Sequence, residues 1–327
     1  MTIAQSSQSR LPLRSSSAAL LIGVSRYDHE SLRPLPGVTN NLEGLHEVLT
    51  EPGHGGFAPE RCAMLPDPGS ADDIAEALAA LAEDAADTVL IYYAGHGLLD
   101  FENKLVLTTT ASVPGNPLHK GVRFADIEAI MRSLDLDRVE HRVLILDCCF
   151  SGQALPTMAV EEAPMGARVS PDRLAGLAKI DGVFVFTATA ATAMALAPEG
   201  ARYTAFTDAL LTVLNEGVDS RNEFLSLGRV YREVDAALDR ARLPRPRQAS
   251  QNHTSWLALT RNRQAGPREQ IETAPGTDRP GLALAGVLAG AGGGVTYAVV
   301  HSPVVAVVLA VVSFAVAWVT RHLLRDS

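Results

Sequence analysis

Five short, near-continuous apolar runs recur along the first part of the chain: AALLIGV (18–24), RCAML (61–65), TVLIYYA (88–94), RVLILDC (142–148) and GVFVFTA (182–188). A strand that is apolar at nearly every position must be covered on both faces, which is the condition of a parallel sheet wrapped by helices. Between the runs, segments 40–49 and 71–81 have helical periodicity, with Asn40 and Ser70 placed to cap them. Two further helices are expected over 204–214 and 224–238. The alternation predicts an α/β fold of three layers, with a mostly parallel sheet in the middle.

At 327 residues, 47% of them hydrophobic and 20% charged, the chain excludes wholesale disorder and has room for one large domain and an appendage. A net charge of −9 without a basic face argues against a nucleic-acid partner. Cysteines occur only at 62, 148 and 149. Two of them are adjacent, which suits a disulfide poorly and points to a reducing compartment.

The polar residues 1–17 are expected to form a disordered lead-in, and the apolar run after them is too short for a secretory signal. Residues 18–260 form one expected globular domain, and 261–280, rich in Arg, Gly, Pro and Gln, a linker. The tail, 281–320, contains charge-free apolar runs over 282–300 and 303–319, parted only by His301 and Ser302. Each approaches the ~20 residues needed to cross a bilayer, so the tail is expected to be a transmembrane helical hairpin. Arginines on both flanks put both ends in the cytoplasm, residues 321–327 included, for a multi-pass protein of the cell membrane. A helical hairpin docked on the domain, or one interfacial segment, is the alternative. Gly286, Gly290 and Gly294 form a small-residue stripe on which another helix could pack.

Two predicted strands end in chemically useful residues. One runs into Tyr92-Tyr93-Ala94-Gly95-His96-Gly97, where the histidine is expected in a turn between glycines, and the other into Leu146-Asp147-Cys148-Cys149-Phe150-Ser151-Gly152. A thiol hydrolase needs a thiolate, a base for its proton, and donors for the oxyanion. The carboxyl edge of an open parallel sheet would bring both strand ends to one crevice. Singly, a histidine after a strand or a buried cysteine is usually structural; it is their combination that points to catalysis. Strand alternation turns Cys148 to the other side. His29, His46, His54, His119, His141 and His253 have no motif around them and are expected at the surface.

These motifs, with His96 and Cys149 53 residues apart, resemble those of the caspase and metacaspase superfamily, whose base and nucleophile are about 50 residues apart. The similarity runs over 18–259 and includes Ile22-Gly23-Val24-Ser25-Arg26-Tyr27 and Leu35-Pro36-Gly37-Val38-Thr39-Asn40-Asn41. It is closer to metacaspases and their bacterial relatives than to animal caspases. The resemblance implies a cysteine endopeptidase with His96 as base, Cys149 as nucleophile, and the amides of Gly97 and Cys149 as oxyanion hole. It makes Asp147 the acid of the first specificity pocket, hence cleavage after Arg or Lys. Asn41 and Ala94 stand where metacaspases often carry Asp and Ser, Phe150 where many carry His, and Asp126 is a further pocket candidate by rough spacing.

No calcium site can be traced and no metal or cofactor is expected, although the resemblance leaves calcium activation open. Implied partners are a protein or peptide substrate, the membrane, and an activating protein, in a bacterial cell-death or defence system. Segment 153–171, with three prolines, is expected to be an exposed loop, and Arg168, Arg173 and Lys179 are candidate self-processing sites. The rival readings are an inactive scaffold of the same fold, and a pore-forming tail regulated by the domain.

Overall fold

A computed structural model describes residues 9–102, 104–133, 138–150, 183–188, 200–250 and 252–266, with the backbone alone at Asp84, Cys149, Phe150, Val183, Asn252 and His253. The expected membrane hairpin and the 153–171 loop lie outside these residues. Among the described residues no helix is long and apolar enough to cross a membrane.

The central sheet runs β2 (Cys62–Pro66), β1 (Ala18–Gly23), β3 (Thr88–Leu99), β6 (His141–Phe150), β7 (Val183–Thr187) and β9 (Arg247–Ser250). All neighbours are parallel except β9, which is antiparallel to β7. On one face pack α1 (Gly37–Thr50), α4 (Ala205–Glu216) and α5 (Leu227–Arg240), and their Leu42, Leu45, Leu210 and Val234 join Tyr92, Ile145 and Phe186 of the sheet. On the other lie α2 (Ala71–Asp84) and α3 (Phe124–Ser133), whose Ile74, Leu78, Ile127 and Met131 join Ile22, Ile91 and Leu144. The predicted three layers are present, and the inner strands β1, β3 and β6 are apolar because both their faces are covered, whereas β2, expected to be covered as well, is the edge strand and leaves Met64 45% exposed. A two-stranded sheet, β8 (Phe224–Ser226) with β10 (Ala258–Arg261), sits beside them.

Several elements depart from expectation. β3 does not stop at Ala94: β4 (Leu105–Leu107) returns antiparallel to Gly97–Leu99, and β5 (Val122–Arg123) extends that ladder. His96 is therefore within a strand, not a turn. Helix α1 begins at Gly37 rather than at Asn40, with Pro36 already at a helical φ of −60° and no side chain capping the first turn. The segment expected as one helix over 224–238 starts as β8, and the Ser226 hydroxyl then accepts from Arg229 N to start α5. His54 and His141 are buried at 5% and 6% exposure, not at the surface. One His54 ring nitrogen lies 3.0 Å from the Leu214 carbonyl, a partner that lets an imidazole be buried.

The lead-in is tied down from residue 9 onward. The Asp87 carboxylate receives the Arg10 guanidinium at 2.7 and 3.2 Å, Leu13 N at 3.0 Å and the Ser17 hydroxyl at 3.0 Å. Burial alone would raise this acid, but those donors bring it down to about 2. At the expected cap of α2, Ser70 and Asp73 form a reciprocal capping box. Ser70→Ala should cost about 1 kcal/mol, read as a lower denaturation midpoint with an unchanged slope.

Candidate active site

Strands β3 and β6 are paired without interruption from Thr88↔His141 to Gly97↔Phe150. Within this ladder Ala94 is the partner of Asp147, and His96 of Cys149. In-register neighbours of a parallel pair share a face, about 4.8 Å apart. Positions 94, 96, 147 and 149 thus lie on the face that carries α1, α4 and α5. Alternation sends Tyr93 and Cys148 to the opposite face, where both are buried in the α2–α3 cluster. Gly97 is in register with Phe150 on one side and Leu107 on the other.

His96 is buried at 4% exposure. Its Nε2 lies 2.9 Å from the carbonyl of Arg33, which only accepts. The proton of a neutral ring therefore belongs on Nε2, which leaves Nδ1 as the basic nitrogen. Burial pushes His96 below its ordinary value of 6.5, with the Arg33 carbonyl opposing. The ring is accordingly neutral near pH 7, as a proton acceptor must be. Gly95 beside it is required by a close approach: a Cβ there would come within 2.7 Å of the Tyr93 hydroxyl and 3.1 Å of the Tyr27 hydroxyl.

Asp147 is fully buried. Its Oδ2 receives the hydroxyls of Thr204 and, at 2.6 Å, Thr207, with Tyr92 OH and Asn41 Nδ2 at 3.4 Å. Asn41 also donates to Thr204 Oγ1 at 2.7 Å and accepts from Thr204 N at 3.1 Å. Among the described residues Oδ1 has no hydrogen-bond partner. Burial raises this carboxyl to about 6, the hydroxyl donors only partly offsetting it.

The start of α1 thus brings Asn41 to Asp147, and the register brings Ala94. Asp126 is elsewhere: it is exposed in the first turn of α3, whose Phe124 and Ile127 pack on the opposite face of the sheet. Sequence reasoning missed Thr204, Thr207 and Tyr92, since α4 follows Asp147 by almost 60 residues and a threonine carries no motif. The one available signal was Thr204 at the expected start of that helix. In the structure its hydroxyl serves Asp147 rather than capping α4.

Among the described residues no cluster of His, Cys, Asp and Glu could hold a metal ion. Burial pushes the Cys62 thiol up to about 12, so it is a core residue and not a nucleophile.

The caspase domain family matches residues 16–263. Among solved structures the chain is similar to the caspase-1 of Spodoptera frugiperda, with a TM-score of 0.51 and 13% identity over 79% of this chain and 94% of that one. At that identity the likeness is one of fold. No curated protein matches the chain. With the family match covering most of the sequence, and the fold agreeing, the chain belongs to the caspase-domain family of cysteine peptidases.

Proposed function

We propose that the chain is a cysteine endopeptidase that cleaves after Arg or Lys, with Cys149 as nucleophile and His96 as base. The observation that carries this reading is the β3–β6 register, which pairs positions 96 and 149 two residues along from a buried carboxylate. Neutral Nδ1 of His96 takes the thiol proton, and the thiolate attacks the scissile carbonyl carbon. The resulting oxyanion is met by the amides of Gly97 and Cys149. Collapse of that adduct breaks the C–N bond, and His96 returns its proton to the leaving amine. Water then hydrolyses the thioester with His96 again as base.

Asp147, flanked by Asn41 and Ala94, supplies the negative charge for a basic side chain before the scissile bond. Its Oδ1, which has no partner among the described residues, is the acceptor left for that cation. Burial is what makes the charge selective, since an acidic side chain there would meet uncompensated repulsion. The apolar tail, 281–320, is assigned as the membrane anchor, and the cell-death or defence role belongs to this same reading.

A fluorogenic peptide panel on the full chain in detergent tests it, with Cys149→Ala as control. Arg or Lys at the cleavage position should exceed Asp or Gln by about 100-fold or more in kcat/KM, a difference of ~2.7 kcal/mol. Absence of any hydrolysis that depends on Cys149 would leave the scaffold reading in its place.

A further inference from the structure

A catalytic base on a β-strand has its backbone aligned by the sheet, but its ring is free to rotate unless something outside the strand holds it. Here a single loop, residues 24–36 between β1 and α1, reaches His96 in two places. The Tyr27 hydroxyl accepts the His96 backbone N–H at 2.9 Å and donates to the Val24 carbonyl at 3.2 Å. The Tyr27 ring packs on the imidazole with centroids 4.8 Å apart and planes tilted by 40°. Six residues further on, the Arg33 carbonyl takes the ring's Nε2–H. The His96 carbonyl is held as firmly: it accepts from Tyr93 OH at 3.0 Å and from the Thr108 hydroxyl at 2.9 Å. Thr108 Oγ1 also lies 3.2 Å from the Tyr27 hydroxyl, which closes the circuit.

The loop itself is built to be stiff. Asp67, at a φ of +51°, accepts from Ser25 N at 2.7 Å, from the Ser25 hydroxyl, and from the Arg26 guanidinium at 3.1 Å. Leu35 N donates to the Ser25 carbonyl at 2.7 Å, which draws the two ends of the loop together. Pro34 and Pro36 restrict Arg33 and Leu35, so the carbonyl that faces His96 has little freedom to swing away.

We infer that Tyr27 is a positioning residue of the active site, which with the Arg33 carbonyl holds the His96 ring in the tautomer and orientation that aim Nδ1 at the nucleophile. The inference rests on the proposed role of His96, and its test separates the two. Full-length chain carrying ¹⁵N-histidine is compared as wild type, Tyr27→Phe and Tyr27→Ala, with His96→Gln to assign the signal. In the wild type the His96 ring should be a single Nε2–H tautomer. Tyr27→Phe keeps the ring and removes the acceptor of the His96 N–H, and should lower kcat about tenfold with KM within about twofold. Tyr27→Ala should lower kcat further and give a mixture of tautomers.

A fall in kcat with the tautomer unmoved in Tyr27→Ala overturns the inference, because Tyr27 would then act on something other than His96. An unmoved kcat overturns it equally. If the wild type hydrolyses no peptide but the tautomer shifts in Tyr27→Ala, the positioning role stands and the protease reading falls. Should Tyr27→Ala fail to fold, Thr108→Val, which removes the hydroxyl linking Tyr27 to the His96 carbonyl, takes its place with the same two readouts.

Discussion

Asp147→Asn should abolish cleavage after Arg and Lys and, at pH 8, make the protein more stable than the wild type. The folded environment raises this carboxyl from 3.8 to about 6 because it is fully buried. A raised value means that the folded state binds the proton more tightly than the unfolded chain does. Its stabilising share is therefore complete below pH 4 and lost as the pH rises through 6. At pH 8 the charge costs roughly 3 kcal/mol relative to the protonated acid. Asparagine carries no such cost and keeps an oxygen for the hydroxyls of Thr204 and Thr207. The melting temperature at pH 8 should rise by roughly 6–12 °C, from about 2–4 °C for each kcal/mol in a domain of this size, while at pH 4 it should be unchanged or lower. In the wild type, a basic substrate favours the ionised carboxyl, so KM for Arg peptides should fall as the pH is raised through 6. A variant that loses stability equally at both pH values, with its cleavage preference intact, would remove Asp147 from the specificity pocket.

His96→Ala should lower kcat by about 10³-fold, at the centre of the range for a positioned general base. The more telling result is the shape of what remains. In the wild type, activity should rise with pH through an ionisation below 6.5, because burial holds His96 under its ordinary value. Without the imidazole, residual hydrolysis should instead climb through about 8.5, where a free thiol ionises by itself. If the two pH profiles coincide, His96 is not the base.

The middle of the sheet could be read from the sequence because β1, β3 and β6 are buried on both faces, and burial leaves a compositional mark. Of the elements that escaped notice, β4 and β10 are largely buried but only three or four residues long, and two others leave no such mark. β9 reads RQAS and is only partly buried, while β5 is two residues long. The extension of β3 beyond Ala94 was hidden for another reason: His96 and the two glycines around it look like a turn, and only the return of Leu105–Leu107 makes them a strand. His96, Cys149 and Asp147 were visible because each sits in a run that breaks from apolar to polar. The residues that tune them were not. Thr204, Thr207 and Tyr92 act on Asp147 through hydroxyls, and Tyr27 was noticed only as part of an opening motif with no task assigned. Asp126 was suggested by distance along the chain alone, which says nothing about the side of the sheet on which a helix packs.

The unbroken β3–β6 ladder acts as a ruler. Sliding one strand past the other by a single residue would throw positions 96 and 149 onto opposite faces, and by two would separate them by ~7 Å more along the strand axis. Their alignment is thus indifferent to the length of the connection between them. Insertions into the turns between β4 and α3, or relocation of the chain ends to that connection by circular permutation, should leave the two residues opposed.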